Sequence, residues 1–448
     1  MNGEGEELRR RPQGTVYVGF EEIAGQYGAI VEALQHQSVP CHLHLRLEHP
    51  FAYPSQSLHR GWVLKIHRWI TSHREHHDLP YFPNRVVLEA VRRVLWFVHA
   101  IAAIVRYRTF VFAFGMTFAP GARDLPLLRI LRKRVVVVVS NGSEARPPYV
   151  DDAYRDYPSD KLADVVVRKV RSLRRIEKWA DAVIGAPLSS SPFLSKPFVN
   201  YFAMGMPCRE IKALADTQQV GNTDGQSVRI LHAPSNPRGK GTNLIRLAIQ
   251  SLTETGLSIE YVELTNQPNH VVLEQLAHCD FVVDQLYGDT PMATLASEAA
   301  RLGKPTVVGG YGWDELRRWV PVDMWPPSET CLPEEVPEAI LRLATEASYR
   351  LALGRKALDF VRTRWSLSEV GERWLMVLDG AIPNEWWVDP LSVIYERGAA
   401  ISEVDARTRV QALIESNGVA SLGLAHNPEL EAAFVEFAKS PLVSEGEG

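Results

Sequence analysis

The sequence is poor in cysteine: Cys41, Cys208, Cys279 and Cys331 stand far apart in 448 residues, with no CxxC pair. That spacing provides neither a zinc knuckle nor a disulfide framework, and it suits a reducing compartment. An excess of charge of one sign is lacking too. Lys+Arg number 49 and Asp+Glu 53, a net charge of -4, which excludes a protein held to nucleic acid by phosphate neutralisation along its whole surface. Long apolar runs are missing. The uncharged apolar stretch from Val94 to Val105 falls short of the roughly 18–20 residues that span a bilayer and is closed by Arg106 and Arg108. The opening residues MNGEGEELRRRPQG mix acids and bases and run directly into TVYVGF, without the apolar core of a signal peptide, so a cytoplasmic location is expected. No internal repeat is visible.

What is present is a chain 46% hydrophobic and 23% charged, long enough for two or three globular domains. Short β-branched runs alternate with helical periodicity almost from end to end, the pattern of an α/β fold with parallel sheets covered on both faces. In the first half, strands are expected at 15–20, 41–46, 110–114, 135–140 and 182–186, with helices at 27–35, 85–106 and 161–180. The run from Val135 to Val139 is wholly apolar, as a strand covered on both faces must be. A polar, non-periodic segment at 213–227 reads as a linker. A second β-α-β-α pattern follows: strands at 229–233, 259–264, 281–284 and 306–308, helices at 243–252, 271–276 and 294–301, then a helical segment at 334–379. The chain therefore divides into a doubly wound unit at 1–212, the linker at 213–227, a second doubly wound unit at 228–379, and an extension at 380–448 with no assigned role.

In open α/β sheets ligands bind at the carboxyl ends of the strands, so the loops there carry the candidate chemistry. After the first strand comes GFEEIAGQYG, which is not the dinucleotide fingerprint GxGxxG; a sterically required turn explains it as well as a ligand does. The opening of the second unit says more. RILHAPSNPRGKGT is a strand followed by a glycine-containing loop with two cations, Arg238 and Lys240, and with Thr242 as a helix cap, a combination suited to a diphosphate. It is not a Walker A loop. Further on, DFVVDQLYGDTPMATLASEAARLGKPTVV brings a strand ending at Asp284 and Gln285, then a helix start at Met292–Leu295 whose free N–H groups suit phosphate, with Glu298 one turn in, able to accept hydrogen bonds from sugar hydroxyls.

These two stretches in this order resemble the nucleotide-sugar-binding domain of retaining GT-B glycosyltransferases of the family 4-like group, and the likeness extends over about 15–379. The resemblance implies two Rossmann-like domains facing a cleft and transfer of a sugar from a nucleoside diphosphate to an acceptor hydroxyl, with retention. By it, Arg238 and Lys240 fall on the cationic positions that grip the diphosphate, and Glu298 on the ribose-binding carboxylate. Thr294, Leu295 and Asp284 join the donor side. Gly25 and Gly28 match the first unit's glycine loop, and Gly142, Ser143 and Glu144 a loop lining the cleft from the acceptor side. The resemblance implies no metal and no cofactor, the nucleotide sugar being the substrate. The sequence departs from the pattern at Thr290, where the family places a second glutamate eight positions before the ribose-binding one. A GT-B protein that binds a nucleotide sugar or glycan without turnover, and a GT-B-fold epimerase, therefore stay open.

Two other clusters compete for attention. His73-Arg74-Glu75-His76-His77 has helical ligand spacing, but a solvated loop is the better reading and no metal site is assigned. Between Arg85 and Arg134 the only acids are Glu89 and Asp124, against ten bases. With the apolar residues alongside, this region could touch anionic lipid or a lipid-linked acceptor. The expectation is instead that the apolar residues pack on the sheet and the bases are solvated.

Overall fold

The computed structural model describes residues 15–46, 61–76, 82–140, 143–209 and 227–440; the side chains of 72–76 and 82–85 are excepted. The first sheet is built from β1 (Val16–Phe20), β2 (Cys41–Leu45), β3 (Thr109–Phe112), β4 (Arg134–Val138), β5 (Ala182–Gly185) and β6 (Phe198–Asn200). The second is built from β7 (Val228–His232), β8 (Ile259–Glu263), β9 (Phe281–Gln285), β10 (Thr306–Gly309) and β11 (Glu329–Cys331). A short β12 (Trp387–Val388) returns to the first sheet, antiparallel to β6. The orders are β12-β6-β5-β4-β3-β1-β2 and β11-β10-β9-β7-β8, with all other pairs parallel. The fold is thus α/β: two doubly wound units facing a cleft, with a C-terminal helical extension.

β4 is the central strand of the first sheet, and its valines show why the run is apolar throughout. Val135, Val137 and Val139 enter the core on one face, Val136 and Val138 the core on the other. The first core also takes the stripe Leu162, Val166, Leu173 and Ile176 of helix Ser159–Trp179. The second sheet is filled in the same way, with Ile230, Phe281 and Val283 against helices Thr242–Glu254 and Val336–Thr345 on one face, and Leu231 and Val282 against Asn269–His278 and Thr294–Arg301 on the other.

The expected strands and helices recur with ends displaced by a few residues, while helix Trp62–His76 and strands β6, β11 and β12 were not anticipated. The segment expected to be helical at 334–379 divides into Val336–Thr345, Ala347–Thr363 and Leu367–Asp379. The last of these starts at the Ser366 hydroxyl, which accepts from the Glu369 N–H at 3.2 Å, and stops at Gly380 in the left-handed region. It does not pack on the second sheet. Val370, Trp374, Val377 and Leu378 belong to a core with β1 and β4, so the chain crosses back to the first unit before the extension begins. The helices of the extension stay there, while Ala400 N–H before them donates to the Tyr287 carbonyl of the second unit at 2.8 Å. Ala406, Val410 and Leu413 of helix Glu403–Asn417, with Leu430 and Phe434 of Pro428–Lys439, fill the same core as helix Ser159–Trp179. The proposed linker at 213–227 lies, but for Ser227, outside the described residues.

Candidate functional site

A cavity of about 370 Å³ opens between the two units. Its walls follow the carboxyl ends of the strands: Ala24 and Gln26 after β1, Ser140 after β4, Tyr201 after β6, Ala233–Ser235 and Lys240 after β7, and Gln285 with Asp289, Thr290 and Met292–Leu295 at and after β9. In each sheet the strand order reverses beside the first strand, which splays the neighbouring loops apart and leaves the crevice.

Lys240 is held where β7 turns into helix Thr242–Glu254. Gly241, at φ 72°, occupies the left-handed region, and a Cβ there would stand 2.9 Å from Leu286 Cβ, so the turn requires glycine. Lys240 Nζ lies 2.5 Å from Asp284 Oδ1 at the end of β9. Asp284 is fully buried and its Oδ2 has no hydrogen-bond partner. The carboxylate therefore anchors the ammonium from behind while the ammonium faces the cavity.

The loop differs from the expectation in its amides and in Thr242. Gly239 N–H donates to Asn236 Oδ1, Lys240 N–H to Asn236 O, Gly241 N–H to Arg238 O and Thr242 N–H to Pro237 O. All four are spent on the turn, so the charge the loop offers a ligand is the lysine, with Ser235 beside it on the cavity wall. Thr242 does not cap its helix; Gly241 holds that position, and the threonine hydroxyl pairs with His232 Nε2 at 2.8 Å. His232 Nδ1 is 2.8 Å from the Val283 carbonyl, and burial pushes the imidazole down to about 4, so this histidine is a neutral tie between β7, β9 and the helix.

Thr294, Leu295 and Glu298 share the second unit's wall. Ala293 precedes the helix Thr294–Arg301 without a capping side chain, which leaves the first-turn N–H groups to a ligand or water. Glu298 is 5% exposed and accepts from Asn269 Nδ2 at 2.8 Å. Burial pushes its carboxyl up to about 7, against the pull of the Asn269 bond and Arg301.

Other predicted residues sit elsewhere. Arg238 does not line the cavity; its side chain is 51% exposed and reaches Asp152 of the first unit at 3.4 Å. Gly25 and Gly28 stand behind Ala24 and Gln26, and the N-terminus they belong to is already occupied, since the Glu22 carboxylate accepts from Tyr27 N–H at 2.9 Å and Gly28 N–H at 2.8 Å. Ser143 presents its carbonyl to the Lys169 ammonium, and neither it nor Glu144 lines the cavity. Gly142 lies outside the described residues, as do the side chains of the His73–His77 cluster. Among the described residues, no group of three or more His, Cys, Asp or Glu side chains is placed to hold a metal ion.

The sequence reading passed over the bridge across the cavity floor. Arg146 of the first unit donates to Asp289 of the second at 2.8 Å and lies 3.7 Å from Asp151, while Ser189 bonds to the same Asp289 oxygen. Arg146 and Asp289 are 143 positions apart, so no local pattern pairs them. Asn269 was likewise missed. It opens a helix 29 positions before the glutamate it orients. On the first unit's side, Gln26 and Tyr201 bond to each other at the cavity wall.

No family model and no curated protein matches the chain. It is similar to solved structures. Anabaena Alr3699/HepE in complex with UDP is 13% identical at TM-score 0.47, over 82% of this chain and all of that one. The catalytic domain of Starch Synthase IV from Arabidopsis thaliana, bound to ADP and acarbose, is 12% identical at TM-score 0.43, over 82% and 99%. The glycosyltransferase SnogD from Streptomyces nogalater is 11% identical at TM-score 0.39, over 81% and 99%. Two Rossmann-like units across a cleft constitute the GT-B fold.

Proposed function

We propose that the protein is a glycosyltransferase that moves a sugar from a nucleoside-diphosphate donor to an acceptor hydroxyl, with retention and without a metal. The observation that carries this reading is the convergence of Lys240, the uncapped start of helix Thr294–Arg301 and the buried Glu298 on one cavity between two α/β units. Lys240 and the first-turn amides oppose the charge that grows on the departing diphosphate, the work a divalent ion does elsewhere. Glu298, oriented by Asn269, accepts from the ribose hydroxyls. The acceptor enters from the first unit, past Gln26 and Tyr201, and its hydroxyl attacks the anomeric carbon on the face the diphosphate leaves. Arg238 acts here by holding its loop to Asp152, and it meets the diphosphate only if that loop shifts. The reading carries with it a cytoplasmic location, which four unpaired cysteines accommodate.

A second reading, binding without turnover, is favoured by Thr290. Its hydroxyl is near its own loop, 3.4 Å from the Met292 carbonyl and amide, and cannot supply a carboxylate. A thermal-shift screen with UDP, GDP, ADP, CDP and dTDP tests the shared donor site, because a ligand of the folded state must raise the melting temperature. One nucleotide is expected to stabilise the protein selectively, and no shift with any of them overturns the site. Sugar release from the matching labelled donor then separates transfer from mere binding.

A further inference from the structure

The basic region between Arg85 and Arg134 does not pack as its sequence suggests. Helix Phe82–Arg106 turns Ala100 and Ala103 to the core but leaves Val87, Val91, Val94, Val98, Ile101 and Val105 exposed. Phe97 is 66% exposed and Val105 80%. With Val86, Ala90, Phe97 and Ala102, also exposed, the apolar positions cover roughly 160° of the helix surface at 3.6 residues per turn, bounded by Arg93 on one edge and Arg106 on the other. From Val87 to Val105 this face is about 27 Å long at 1.5 Å per residue.

Its neighbours repeat the pattern. Helix Trp62–His76 packs alongside, His67 against Trp96, and exposes Trp62, Ile66 and Trp69 with Lys65 among them. Helix Leu125–Ile130 sits on the same core and exposes Leu127 and Ile130, beside Arg129 and Arg132. No helix among the described residues is long and apolar enough to cross a membrane.

We propose that this face lies on the surface of an anionic lipid bilayer, with the valines, Phe97 and the two tryptophans entering the headgroup boundary and the surrounding arginines meeting lipid phosphates. Charge decides between the two occupants an apolar helix face invites. A second copy docked through the same patch by a two-fold axis would set its rim of exposed bases, Lys65, Arg93 and Arg106, against the same rim. An anionic bilayer complements them. Width points the same way. A two-helix seam needs only a narrow stripe flanked by charge, and here both flanks of the heptad-spaced residues are apolar, as in helices that lie in the interface plane.

The test is co-sedimentation of the full chain with vesicles of phosphatidylcholine alone or with about one third phosphatidylglycerol. The protein is expected to pellet with the anionic vesicles only, and to be released as the salt approaches about 1 M. The double variant Val94→Glu with Phe97→Glu is expected to bind at least about tenfold more weakly at an unchanged melting temperature, since both side chains are exposed. Wild-type protein left in the supernatant, or a double variant that binds as wild type does, overturns the proposal. So does a wild-type dimer that the variant splits in the absence of vesicle binding, which assigns the face to self-association. No donor enters the assay, so its outcome is independent of the transfer reaction.

Discussion

Replacing Lys240 by alanine removes a ligand group and, at the same time, the partner of a fully buried carboxylate. Asp284 has its Oδ1 on the ammonium at 2.5 Å and its Oδ2 on nothing, so Lys240→Ala leaves an uncompensated charge in the core of the second unit. Breaking a buried pair from one side costs about 3–5 kcal/mol, a large part of a domain's stability. A loss of donor binding in that variant alone is therefore ambiguous. The double variant Lys240→Ala with Asp284→Asn resolves it. Neutralising the aspartate removes the orphaned charge, so the urea midpoint is expected to recover most of the loss, while the phosphate contact stays absent. A charge-assisted hydrogen bond contributes about 1.5–3 kcal/mol, so the nucleoside diphosphate selected in the thermal screen should bind about 10- to 100-fold more weakly to the double variant in calorimetric titration. If the double variant binds it as tightly as wild type does, Lys240 does not hold the diphosphate and the reasoning fails. If the single variant loses no stability, the pair is not the buried tie described above.

Glu298 supplies a pH-dependent prediction. Its carboxyl rises from the usual 4.5 to about 7 in the folded protein, so folding disfavours the ionised form, and stability is lost as pH climbs from about 4.5 through 7. Glu298→Gln removes that penalty and should be more stable than wild type by up to about 3 kcal/mol at pH 8 and equal to it near pH 4; a difference that does not change with pH would falsify the assignment. Nucleotide binding by wild type should strengthen more steeply from pH 6 to 8 than binding by the variant, because the Glu298 carboxylate forms in that range on top of the ligand's own phosphate ionisation. Arg146→Met should destabilise the protein by about 3–5 kcal/mol, because Asp289 and Asp151 lose their shared cation. Arg146→Met melting like wild type would show that the bridge does not join the two units.

Period and composition were enough to define the layers. The alternation of β-branched runs with 3.6-residue stripes follows from burial on one or two faces, and this is why β4 and helix Ser159–Trp179 were legible before any packing was known. The loop after β7 and the helix start after β9 were legible for a similar reason, since cations, glycines and an uncapped N-terminus act within a few residues of one another. Contacts between distant segments were not legible. The Lys240–Asp284 tie spans 44 positions and the Arg146–Asp289 bridge 143, and nothing in a local window weights one such pairing over another. Helix Leu367–Asp379 has the same kind of amphipathic stripe as its predecessors, so only the competing faces of the two units send it back to β1 and β4. The apolar residues of helix Phe82–Arg106 show the limit most clearly. Sequence determines that a helix has an apolar face, but which face is turned inward depends on what the sheet beneath can cover, and tertiary structure alone left this one in the open.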